Sequence, residues 1–145
     1  MSHVVYFCCL GAVGKGAVPY LQVGSGSDHL EGSLLRAKRI ARTQPKPLVF
    51  IDGCHTIALG PKETYNLVQA FVERGGAGVI GTDVTIFEPL ACDFALGFLR
   101  RFLAGVPADE AVRTTRLELL KTGNPLGLVY TPLVLAGLAF APKRI

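Results

Sequence analysis

Apolar residues fall along this chain in short blocks whose spacing switches between that of strands and that of helices. Val4 to Leu10 is rich in Val, Tyr and Phe and is closed by Gly11, which predicts a strand. Gly14 to Gly16 read as a turn, and Val18 to Val23 as a second short strand. Gly24-Ser-Gly-Ser27 is a loop with Asp28 as helix N-cap, and the helix runs over Leu30 to Ala41. There Leu30, Leu34, Leu35, Ala37 and Ile40 make one apolar stripe with basic residues opposite. Gln44-Pro-Lys-Pro47 stops that helix. Leu48 to Ile51 then runs apolar without polar alternation, the pattern of a parallel strand covered on both faces.

A polar loop follows, then a helix from Lys62 to Arg74 with Leu67, Val68, Ala70 and Phe71 on one side and Gly75-Gly76 as its cap. Gly78 to Gly81 reads as a brief strand with Thr82-Asp83 at its end. Pro89 to Leu103 predicts a largely buried helix, and Asp109 to Lys121 another, with Glu110 and Glu118 against Arg113 and Arg116. Asn124-Pro125 is a turn, and Leu126 to Leu138 supplies a last strand or two. Strands joined by crossover helices predict an α/β fold with a mostly parallel sheet. Gly11, Gly14 and Gly16 follow a strand but lead into another strand, so they do not form a phosphate-binding loop.

A chain of 145 residues suits one domain with a real core. Half of its residues are apolar and the mean hydropathy is +0.40, which points to a sheet buried on both faces or to apolar surface meant for a partner. The formal charge of +4 comes partly from Arg36, Lys38, Arg39 and Arg42, and from Arg100, Arg101, Arg113 and Arg116. These fall on solvated helix faces without interleaved aromatics, so nucleic acid is not the expected partner. The four cysteines, at 8, 9, 54 and 92, form no CxxC pattern. A disulfide framework or zinc site is therefore not expected, and a reducing, cytoplasmic setting is. Val4 to Val13 lacks the preceding basic residue of a signal peptide, and Leu126 to Ala141, interrupted by Thr131 and Pro132, is too short to span a bilayer. No membrane, metal or cofactor partner is expected.

The chemistry concentrates at Pro47-Leu-Val-Phe-Ile-Asp-Gly-Cys-His-Thr56. A strand ending in Gly53-Cys54, with Asp52 two residues earlier, presents a thiol at the carboxyl edge of an α/β sheet, where such folds keep their sites. Cys54 reads equally well as one more small buried hydrophobe.

Four blocks in order resemble a known family. They are Val5-Tyr-Phe-Cys-Cys-Leu-Gly11, Pro47 to Cys54, Gly76-Ala-Gly-Val-Ile-Gly-Thr82, and Gly105 with Ala111 and Arg116 followed by Asn124-Pro-Leu-Gly-Leu-Val-Tyr130. This series is similar to the CHAT domain, a caspase-like domain, and it runs through nearly the whole chain. The resemblance implies a three-layer caspase-haemoglobinase fold and the Cys/His dyad of a cysteine peptidase. Carried over by position, the nucleophile falls on Cys54 and the oxyanion-binding backbone on Gly11 and Cys54. The histidine position falls on Leu10. Asp52-Gly-Cys-His55 also resembles the Asp-x-Cys-His of metacaspases, which implies that Asp52, with Asp83 and His55 nearby, favours a basic residue at the cleaved bond.

Leu10 departs from that pattern at its most consequential point. A free thiol of pKa ~8.5 is only a few per cent thiolate at neutral pH, and an imidazole both activates it and protonates the leaving amine. Loss of such a partner removes roughly 10²–10⁴-fold in rate. His3 lies seven residues before Leu10, roughly 20 Å away along an extended strand. His29 begins a helix beyond a loop, and His55, adjacent to Cys54, diverges from it at a strand end. A second departure is that the chain starts almost on the histidine strand, so the leading part of a caspase-like domain is expected to be missing and one sheet edge uncovered. These features leave three readings. One is an impaired pseudo-peptidase that binds a peptide or protein, with a second copy or a partner covering the open edge. Another is an active cysteine endopeptidase of basic specificity with its histidine supplied by His55 or a partner. The third is a non-catalytic scaffold.

Overall fold

The computed structural model describes residues 3–13, 19–25, 28–37, 46–54 and 64–141. Among these residues seven strands and four α-helices run in the order β1 (Val4–Cys8), β2 (Leu10–Val13), β3 (Pro19–Gln22), β4 (His29–Glu31), α1 (Gly32–Ala37), β5 (Leu48–Asp52), α2 (Thr64–Glu73), β6 (Gly78–Thr82), α3 (Glu88–Leu103), α4 (Ala108–Lys121) and β7 (Tyr130–Val134), with a 3-10 turn over Pro125–Val129 before β7. The main sheet has the order β1-β5-β6-β7, the first two pairings parallel and the last antiparallel. The mixed α/β fold with a mostly parallel sheet matches the sequence expectation.

Every residue of β5 is buried. Its alternating side chains divide the core in two, because successive residues of a strand point to opposite faces. Leu48 and Phe50, with Ile80, pack under α3 and α4 against Phe94, Phe98, Phe102 and Tyr130. Val49 and Ile51, with Val79, pack under α1 and α2 against Leu35, Leu67, Ala70 and Phe71. An uninterrupted apolar strand thus feeds two helical layers, and the polar residues that follow it emerge at the sheet's carboxyl edge. Phe50 is the hub of the first layer, with edge-on contacts to Phe98 at 5.2 Å and to Tyr130 at 6.2 Å between ring centroids.

Several local expectations need correction. The predicted strand Val4 to Leu10 is two strands. Its ladder with β5 ends where β5 ends, at Cys8 opposite Asp52, with one more bond from the Cys9 N–H to the Asp52 carbonyl at 3.3 Å. The chain then pairs Leu10–Val13 with β3 in a separate antiparallel sheet, β2-β3-β4, so Gly11 lies inside a strand instead of closing one. Asp28 is not a helix cap. Its carbonyl accepts the Val23 N–H at 2.9 Å, and His29–Glu31 pair with β3, helped by a tilted contact of the Tyr20 and His29 rings at 4.0 Å between centroids. Helix α1 starts only at Gly32. Near the carboxyl end a 3-10 turn occupies what the apolar run suggested as strand. Asn124 Oδ1 holds its start by accepting the Leu126 N–H at 3.1 Å. Pro132 fits in β7 because, among the described residues, that strand is an edge of its sheet, where proline is tolerated. The turn at Gly14 to Gly16, the residues after Ala37 up to Pro45, the loop with His55 and the start of the 62–74 helix lie outside the described residues.

Candidate active site

Asp52, Gly53 and Cys54 emerge from β5 at the sheet's carboxyl edge. The Thr82 hydroxyl, at the end of β6, donates to the Gly53 carbonyl and fixes the exit of the chain. The carboxylate of Asp52 is 3% exposed, yet it is fully engaged. Tyr130 Oη donates to one oxygen at 2.5 Å and Tyr6 Oη to the other at 2.7 Å. Burial pushes the Asp52 carboxyl above the ordinary carboxylate range, against the lowering pull of those two hydroxyls. Burial, joined by the bonds and charge of Asp52, likewise pushes both phenols far above the usual tyrosine range.

Cys54 is half-buried, and its thiol donates to the Ile86 carbonyl at 3.4 Å. It lines a pocket of about 310 Å³ between the end of β1, the end of β5 and the start of α3. Tyr6, Cys8 and Cys9 form one wall, Asp52 and Gly53 the floor, and Ile86 to Glu88 with Ala91 and Cys92 the other wall. The pocket is large enough for one side chain of a peptide and its flanking amide. Burial first, then Cys8 and Asp52, push the Cys9 thiol up to about 11.

The sequence profile of the CHAT domain matches residues 1–132. This chain belongs to the CHAT domain family. A probable protease of Vitiosangium sp. (strain GDMCC 1.1324) is 48% identical over 147 residues, an alignment that covers 97% of this chain and 19% of that protein. The chain therefore spans about a fifth of the length of the relative it matches.

In this CHAT domain the structure brings Cys54 and Asp52 together on one pocket. Leu10 and Gly11 follow directly on the pocket wall at Cys8 and Cys9, and sit in β2 opposite Gln22 and Leu21. Asp83 is elsewhere. It is exposed, accepts the Thr131 hydroxyl at 3.1 Å, and does not line the pocket. His55 lies outside the described residues. The His29 ring lies against Tyr20, and neither His29 nor His3 lines the pocket. Among the described residues no histidine, and no cluster able to hold a metal ion, meets the Cys54 thiol. None of the described helices is long and apolar enough to cross a membrane.

Sequence reasoning missed Tyr6, Tyr130, Cys8, Cys9 and Cys92 as members of the site. Tyr6 was legible in principle. It stands two residues before Cys8 on a strand and therefore on the same face, but only the parallel register with β5 reveals that this face meets Asp52. Tyr130 reaches Asp52 from 78 residues away, and no local pattern encodes that.

Proposed function

We propose that this CHAT domain is a catalytically impaired pseudo-peptidase that binds a peptide or a protein segment at the Cys54 pocket. The observation that carries this reading is the pairing of a thiol at the sheet edge with leucine at the dyad's histidine position. The thiol proton is directed at the Ile86 carbonyl, which can hold it but cannot take it up and hand it to a leaving amine. The buried carboxylate of the pocket is held by two phenols, which makes Asp52 an anchor for the pocket floor as well as a negative charge toward a basic side chain. Glu88 on the opposite wall adds to that charge. The edge of β1, with Val5 38% and Tyr6 42% exposed, suits a second copy or partner strand. Four free cysteines suit a reducing compartment such as the cytoplasm.

Peptides carrying arginine at the scissile position test the reading. Wild type is expected to bind them by fluorescence anisotropy and to hydrolyse them no faster than Cys54→Ala. Leu10→His is expected to add Cys54-dependent hydrolysis. Turnover by wild type that disappears in Cys54→Ala would overturn the pseudo-peptidase reading.

One observation favours a second reading, an active cysteine endopeptidase with basic specificity. The relative at 48% identity is named a probable protease. In that case His55, adjacent to the nucleophile, or a partner's side chain takes the histidine role. The same turnover experiment with His55→Ala separates the two.

A further inference from the structure

All four cysteines of the chain line one pocket, although they come from three distant places in the sequence. Cys8 ends β1 and Cys9 follows it, Cys54 follows β5, and Cys92 stands in the first turns of α3. Cysteine fills four of the eleven lining positions, and all four thiols are free. A peptidase-like site uses a single sulfur, so three of these thiols have no part in that chemistry. Cys54 occupies the middle, between β1 and the Ile86 carbonyl that it contacts at 3.4 Å beside the start of α3. Cys8 is opposite Asp52 in the parallel register, two residues short of Cys54, and is exposed. Cys92 is exposed on the other wall. A half-buried sulfur thus shares one pocket with two exposed ones, which suits an oxidisable thiol with a resolving partner.

We propose that the pocket is a site of reversible oxidation by hydroperoxides, in which Cys54 forms a disulfide with one of the exposed thiols that share its pocket, Cys8 or Cys92. The Cys54 thiolate attacks the peroxide oxygen, the O–O bond breaks, and the departing alkoxide takes a proton to leave as ROH. The resulting sulfenic acid is attacked by the second thiolate, the S–S bond forms, and hydroxide leaves as water. In sum two thiols and ROOH give a disulfide, ROH and H₂O, with the thiols oxidised and the peroxide reduced. Cys9 is not the resolving partner. Its thiol is half-buried, unlike those of Cys8 and Cys92, and is held protonated at neutral pH. The bridge would tie the floor of the pocket to one wall. That second consequence rests on the peptide-binding reading above; the thiol chemistry does not.

The test treats the intact chain with hydrogen peroxide in the presence of a chelator, blocks remaining thiols with iodoacetamide, and maps the peptides by mass spectrometry. The expected result is a loss of two free thiols per chain and a Cys54–Cys8 or Cys54–Cys92 bridge, reversed by dithiothreitol. Cys54→Ser is expected to abolish bridging by either partner. Its hydroxyl can keep the bond to Ile86, and the double variant Cys8→Ser/Cys92→Ser, altered only at exposed positions, checks the same point independently. Oxidation of Cys54 to sulfinic acid without a bridge, no oxidation of Cys54, or bridges only between chains would overturn the proposal. Peptide anisotropy on the same samples separates the two ideas. Binding without any bridge sinks the oxidation alone, whereas a bridge in a chain that never binds peptide sinks the pocket reading alone.

Discussion

Asp52 shows how one residue joins fold to site. A carboxylate buried at the end of the central strand costs desolvation, and the two tyrosine hydroxyls offset that cost by occupying both oxygens. Its pKa stays raised above 3.8, so the native state penalises the ionised form. The stability it contributes is full below that ordinary value and is lost as pH rises through the raised one. Asp52→Asn removes the titration. The unfolding free energy of the variant minus that of wild type should therefore increase as pH rises from acid toward neutrality, measured as urea midpoints across pH. A flat or falling difference would contradict the burial argument. Nothing local in the chain hints at this arrangement beyond the carboxylate itself, because it depends on phenols placed by β1 and β7.

Elements were legible where one local period dominates. The central strand and the helices α3 and α4 stand close to where periodicity puts them, since each buries a single continuous stripe or run. Misreadings gathered where pairing decides the structure. Residues 29–31 look helical from their neighbours but complete a three-stranded hairpin sheet, and Leu10–Val13 leave the main sheet when β5 runs out. The contact of β6 with β7 has a similar hidden requirement. A methyl at Gly78 would stand 2.8 Å from the Val134 Cα and 2.9 Å from the Leu133 carbonyl, both backbone atoms that cannot swing aside. Gly78→Ala is expected to cost about 1–3 kcal/mol in denaturant unfolding. An unchanged midpoint would show that β7 can shift freely from β6.

At the scale of the molecule, a four-stranded sheet carries its candidate chemistry at one end and its exposed apolar residues along its edges. Val5 and Tyr6 lie on β1, while Leu133 and Leu135 lie at and beside β7, at 43% and 73% exposure. The high hydropathy announced apolar surface of this kind, but not which edges bear it. If β1 seats a second copy, sedimentation should show concentration-dependent association that Val5→Lys weakens without lowering the unfolding midpoint. A strict monomer across the concentration range would argue that another kind of partner belongs there. The family, by contrast, was readable from ordered blocks, and the profile over residues 1–132 agrees with them.

The most direct measurement is the rate at which Cys54 is labelled by a peptidyl acyloxymethylketone with arginine next to the warhead, followed by intact-mass spectrometry. The account predicts slow, incomplete labelling of wild type and a rate at least about 10²-fold higher in Leu10→His. Rapid stoichiometric labelling of wild type at Cys54, absent in Cys54→Ala, would contradict it.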